Sequence, residues 1–155
     1  KAHSLTLSVN NINEDTLKDE IILSINKKLV YEFEKWASQK FILIEGESEA
    51  NIVLDKAETT LTKVLKKKGI TSVILHQEEK NFKLELSFFI EFKEKDNNYK
   101  KLRANANIEF ILKDNSSVFK RKNIINQSIQ KLVIHIDKKI NDDFKGESLR
   151  EFIGS

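Results

Sequence analysis

The residues best suited to chemistry in this chain are few, and their spacing gives them little to do together. Its three histidines, His3, His76 and His135, show no His-x-x-x-His or Glu-x-x-His spacing, the arrangement that puts two metal ligands on one helix face. Each reads as a structural or exposed histidine, with His135 on the flank of an apolar helical stripe. The adjacent carboxylates Glu78-Glu79 and Asp142-Asp143 point their side chains apart. They read as solvated loop and helix-end charges, since an acid–base couple needs two carboxyls facing one substrate. No serine sits in a Gly-x-Ser-x-Gly elbow. The chain has no cysteine, which excludes disulfides, thiol catalysis and cysteine-ligated zinc or iron–sulfur centres. Its four glycines, Gly46, Gly69, Gly146 and Gly154, are too dispersed to build a phosphate loop. No catalytic, metal or cofactor residue is assigned, and the expectation is a binding protein without enzymatic activity or cofactor.

Charge offers more. The chain holds 27 Lys and Arg against 24 Asp and Glu, a net +3, and the two signs are segregated. Residues 99–122 carry Lys100, Lys101, Arg103, Lys113, Lys120, Arg121 and Lys122 against only Glu109 and Asp114. Residues 41–60 carry Glu45, Glu47, Glu49, Asp55 and Glu58 against Lys56 alone. A basic hairpin of this kind suits the phosphates of an anionic lipid or of nucleic acid, or an acidic partner. Nucleic acid ranks last, because arginine, the bidentate phosphate reader, occurs only at Arg103, Arg121 and Arg150. The strand aromatics also fall on the buried-parity face, with Phe89 the exception. A charge run is ordinarily a solvated face.

The elements that position these residues follow from periodicity. At 155 residues with 39% apolar content, the chain suffices for one domain. No apolar run approaches the ~18 residues of a membrane span. Leu5, Leu7 and Val9 alternate with Ser4, Thr6 and Ser8, the mark of a half-buried strand. Asn13 caps a helix with Glu14 and Asp15 in its first turn. Leu17, Ile21, Ile22, Ile25, Leu29, Phe33 and Trp36 then recur at helical spacing, and the absence of proline from the whole chain lets the helix run from Glu14 to Ser38. Phe41–Glu45 and Ala50–Leu54 read as strands. Over 55–69 the signals conflict. Thr59, Thr60, Thr62 and Val64 are β-branched and fit a strand, whereas Ala57, Leu61, Val64 and Leu65 share a helical face between an Asp55–Glu58 cap and Gly69. The capping signals are the more specific and favour a helix, with a strand as the alternative.

Ile70–His76 reads as a strand. Phe82, Leu84, Leu86, Phe88, Ile90 and Phe92 then alternate with mostly polar residues, and after Asp96-Asn97-Asn98 the pattern repeats through Leu102, Ala104, Ala106, Ile108, Phe110 and Leu112. This predicts a long antiparallel hairpin with one apolar face. Val118-Phe119 reads as a short extension before a last helix, whose stripe is Ile125, Ile129, Leu132, Val133, Ile136 and Ile140. The expected fold is a two-layer α+β domain over 1–146, an antiparallel sheet with one face covered by a long N-terminal and a C-terminal helix. Residues 147–155 read as a tail.

An N-terminal strand at Leu5–Val9, an Asn-containing loop and a long helix resemble the opening of the outer-membrane lipoproteins that assist lipopolysaccharide assembly. The auxiliary lipoproteins of ABC lipid transporters open in a similar way. The strand Glu49-Ala-Asn-Ile-Val-Leu-Asp55, the hairpin ending in Ala106-Asn-Ile-Glu-Phe-Ile-Leu-Lys-Asp114 and the helix from Gln127 to Phe144 extend the resemblance over most of the chain. It departs at Lys56 and at Ser116-Ser117, where those families carry glycine. It also implies a strand where the residues above read as the 55–69 helix, and a lipidated cysteine upstream of Lys1.

The resemblance implies a periplasmic, outer-membrane-associated accessory protein, lipid-anchored, that binds an envelope protein or a lipid and catalyses nothing. A start codon directly before Lys1 would instead make the chain cytoplasmic. The second expectation is a helix-grip domain enclosing a small apolar ligand or lipid, and the third is a nucleic-acid-binding module built on the basic hairpin.

Overall fold

The computed structural model describes residues 5–9, 20–41, 49–66, 78–93 and 99–144. Its elements are β1 (Leu5–Val9), α1 (Glu20–Lys40), β2 (Glu49–Lys66), β3 (Glu78–Lys93), β4 (Tyr99–Lys113) and α2 (Val118–Phe144). The strands form one sheet in the order β1-β2-β3-β4. β2, β3 and β4 are antiparallel neighbours, while β1 joins the edge parallel to β2, with Leu5 opposite Ala50 and Val9 opposite Leu54. Helices pack on the sheet as the α+β expectation requires. The parallel β1–β2 pair is the one addition to it, made possible by α1 as the crossover between them.

The hairpin follows its pattern closely. From Phe82 to Phe92 every even residue of β3 is buried and every odd one half-buried. The register sets Phe82 opposite Phe110, Leu84 opposite Ile108 and Phe88 opposite Ala104. Phe82 and Phe110 stack with centroids 5.5 Å apart. α2 lies mainly on β4 and α1 on β2. The core joins Ile25, Leu29 and Phe33 of α1 to the even face of β3 and to Ile129, Leu132, Ile136 and Ile140 of α2. Cross-links between the helices run Lys28 to Asn126, Trp36 to Asp137 and Lys40 to Asn141. Both partners advance together, so α1 and α2 are parallel.

The helix expected over 55–69 is corrected: β2 continues as strand to Lys66. The cause lies in its pairing with β3, which skips a residue at Asp55 and again at Thr62. Each is a β-bulge, and each bulge switches the parity of the residues that face the helices. Ile52 and Leu54 face inward before the first bulge, Ala57, Thr59 and Leu61 between the two, and Val64 after the second. The apolar intervals from Leu54 to Ala57, Leu61 and Val64 are therefore three, four and three, which is helical spacing produced by a strand. The extended conformation also accounts for the β-branched residues of this stretch.

Smaller differences follow. Glu78 and Glu79 open strand β3 and are not in a loop. Val118 and Phe119 are the first turn of α2, with no extended segment before it; Ser117 caps them, its hydroxyl accepting from the Lys120 amide at 3.2 Å. Phe41 lies just past α1, outside any strand, its amide bonded to the Ala37 carbonyl at 3.0 Å and its ring edge-on to Trp36. The rest of the strand expected at Phe41–Glu45, the strand at Ile70–His76, the first turns expected for α1 (Glu14–Asp19), residues 1–4 and the tail at 147–155 lie outside the described residues.

Candidate functional site

The seven bases singled out in the sequence divide into two groups and do not make one patch. Lys101 and Lys113 stand near opposite ends of β4, separated by about 40 Å at roughly 3.3 Å per residue. On the odd face of the sheet, away from the helices, three of the bases are paired with acids. Lys101 bonds Glu91 at 3.2 Å, Arg103 bonds Asp55 at 3.2 Å and Lys113 bonds Glu79 at 3.3 Å. Lys101 also lies 3.6 Å from the centroid of Phe89, so the exposed-parity aromatic carries a cation on its face. Lys100 is exposed at the start of β4, on the even parity. Lys120, Arg121 and Lys122 are in the first turns of α2, beyond the Lys113 end.

The odd face is therefore a mixed-sign lattice. At its centre Glu58 and Glu85 stand opposite each other, a like-charge pair relieved by lysines. Lys56 reaches Glu85 at 2.6 Å and Glu58 at 3.1 Å, and Lys83 reaches Glu85 at 2.7 Å. The hydrogen bonds from Lys56 and then Lys83 hold the Glu85 carboxyl below its ordinary pKa. The bonds to Glu85 and then Glu58 raise that of Lys56. Surface pairs of this kind contribute about 0–1 kcal/mol each, and alternating signs do not build the single-sign potential that nucleic acid requires.

Sequence reasoning missed the polar seam between the helices. Trp36 Nε1–H donates to Asp137 Oδ1 at 2.9 Å, Lys40 Nζ sits 3.1 Å from the same oxygen, and Asn141 Nδ2 donates to Asp137 Oδ2 at 3.1 Å. Burial pushes the Asp137 carboxyl up, but the bonds from Trp36, Lys40 and Asn141 outweigh it and hold it below its ordinary value. The available signal was Asp137 interrupting the helical stripe between Ile136 and Ile140. A carboxyl with a depressed folded pKa stabilises the fold above its unfolded pKa of about 3.9, and that contribution fades as pH falls through the folded value. Asp137→Asn should therefore lose less stability than the parent between neutrality and about pH 3 in urea melts. Trp36→Phe, which removes the indole donor, should cost about 1–3 kcal/mol at neutral pH.

Near the N-terminal end of that seam an open groove of about 510 Å³ lies between the helices, with Glu20, Ile21, Lys28, Lys122, Ile125 and Asn126 among its lining. Lys28 donates across it to Asn126. His135 is exposed on α2, while His3 and His76 lie outside the described residues. No group of three or more metal-ligating side chains occurs among the described residues. No helix among them is long and apolar enough to cross a membrane.

The fold and surface thus define a two-layer α+β domain with a buried apolar core, a charged sheet face and an interhelical groove of mixed polar and apolar lining. No protein-family model matches the chain, and no curated protein matches it. Among solved structures it is similar to a minor lipoprotein from Acinetobacter baumannii, 11% identical with a TM-score of 0.42, over 89% of this chain and 93% of that one. At this divergence the likeness does not assign a role.

Proposed function

We propose that this chain is a non-enzymatic accessory domain of a bacterial envelope, periplasmic and outer-membrane-associated through a lipid anchor, that assists the transport or assembly of lipid or lipopolysaccharide by binding an envelope protein or the lipid itself. The observation that carries the reading is β2. Residues 55–66 are strand, as the resemblance to envelope lipoproteins implies and as the residue-level pattern did not. The element order of strand, long helix, three antiparallel strands and helix agrees with it as well.

The packing favours this reading over a helix-grip domain. Two helices, not one, lie on the sheet, and Leu29, Phe33, Phe88, Leu132 and Ile136 are fully buried against one another's layers. The 510 Å³ space opens at the surface between the helices, whereas a helix-grip ligand sits between helix and sheet. Among the described residues, β2 beyond Leu54 and the whole of β4 have an unpaired edge, which a protein partner's strand can extend.

Deletion of the gene in the producing bacterium tests the role. The expected phenotype is a leaky outer membrane, read as hypersensitivity to bulky hydrophobic antibiotics and reversed by supplying the gene in trans. An unchanged permeability barrier contradicts it.

A further inference from the structure

The end of the molecule at which β2 and β4 finish combines exposed apolar side chains with bases that have no acidic partner among the described residues. Phe119 is 75% exposed, the most of any large apolar side chain among the described residues, and Val118 beside it is 60% exposed. Val64 on β2 and Ile111 on β4 lie toward the same end, at 41% and 46%; the sheet register places Val64 opposite Lys80, and Lys80 opposite Leu112. Lys120, Arg121 and Lys122 follow directly, and none has a carboxylate partner among the described residues, in contrast to Lys101, Arg103 and Lys113.

This arrangement goes against the local rules of folding. The first turn of α2 contains no acid, and three successive bases follow where the helix macrodipole favours negative charge. A largely exposed apolar pair precedes them, at a terminus already capped by Ser117. Sequences break such rules mainly at functional positions. Five residues span little more than one turn, so Val118–Lys122 ring the end of α2 and meet an end-on surface together.

We propose that this end of the domain docks on an anionic phospholipid bilayer, with Phe119 and Val118 entering the headgroup–acyl boundary and Lys120, Arg121 and Lys122 lying against the lipid phosphates. Apolar residues rimmed by bases are the complement of such an interface. A nucleic acid offers no apolar layer for Val118 and Ile111. The inference adds a lipid surface to the accessory role and does not require it: vesicle binding and the deletion phenotype succeed or fail separately.

Sedimentation of the full chain with phosphatidylcholine–phosphatidylglycerol vesicles, against pure phosphatidylcholine vesicles, tests it. Binding to the anionic vesicles alone is expected. The triple variant Lys120→Gln, Arg121→Gln, Lys122→Gln should weaken it about a hundredfold, at roughly fivefold per base. Phe119→Ser should weaken it about tenfold, and Lys101→Gln, at the other end of β4, should leave it unchanged. Lys101, Phe119, Lys120 and Lys122 are exposed and Arg121 is half-buried, outside the apolar core, so circular dichroism should show all variants folded. Equal affinity for both vesicle types, indifference to the triple variant and to Phe119→Ser, or tighter binding to a random oligonucleotide through the same bases with no dependence on Phe119 would each overturn the proposal.

Discussion

Replacing Phe88 with alanine is expected to remove about 3–5 kcal/mol of stability, the range for truncating a buried aromatic. Phe88 is fully buried at the middle of β3, its ring 4.9 Å from that of Phe33 and 5.6 Å from that of Trp36. The site has little means of collapsing, because Leu54 and Ala104 flank it in fixed register and Trp36 is held from α2 by Asp137. A domain of this size has about 5–15 kcal/mol in all, so the variant should melt at a much lower urea concentration. A loss below about 1 kcal/mol would mean that Phe33 and Trp36 of α1 do not pack on Phe88 as described.

The second large effect is expected on α2. Leu132→Asp places a carboxylate at a fully buried position facing the sheet, with no partner within the apolar stripe of α2, and should cost about 4 kcal/mol or more. Ile134, two residues on, is 64% exposed, and Ile134→Asp should change stability by no more than about 0.5 kcal/mol. The contrast fixes the rotation of α2 about its axis: similar losses in the two variants would contradict the packing of α2 on β4.

The hairpin was fully legible in the sequence, because an antiparallel sheet wet on one side writes its burial as strict alternation. Both helices were legible too, through stripes that a chain without proline leaves uninterrupted. β2 was not. Its two bulges, at Asp55 and Thr62, convert period-two burial into intervals of three and four, and a window of residues cannot tell that from a helix face. The β-branched threonines carried the better signal there, and the apparent cap at Asp55 was the bulge itself. The start of α2 misled for a different reason: Val118 and Phe119 look like buried strand residues, whereas they are exposed in a helical turn.

The candidate site was legible as composition and not as geometry. Seven bases fall within 99–122, yet an extended strand separates Lys101 from Lys113 by its own length, and acids of β2 and β3 neutralise Lys101, Arg103 and Lys113. The bases of α2 look no different in sequence from those of β4. What sets them apart is that none of them is paired with a carboxylate among the described residues, which only the tertiary arrangement reveals. The interhelical pairs of Asp137 likewise depend on the parallel alignment of two helices about a hundred residues apart.

The envelope role is tested most directly by fractionating the producing bacterium and following this chain with an antibody beside markers for cytosol, inner membrane and outer membrane. The account predicts that the chain sediments with the outer membrane and is released by detergent. Recovery with the cytosolic marker would contradict it.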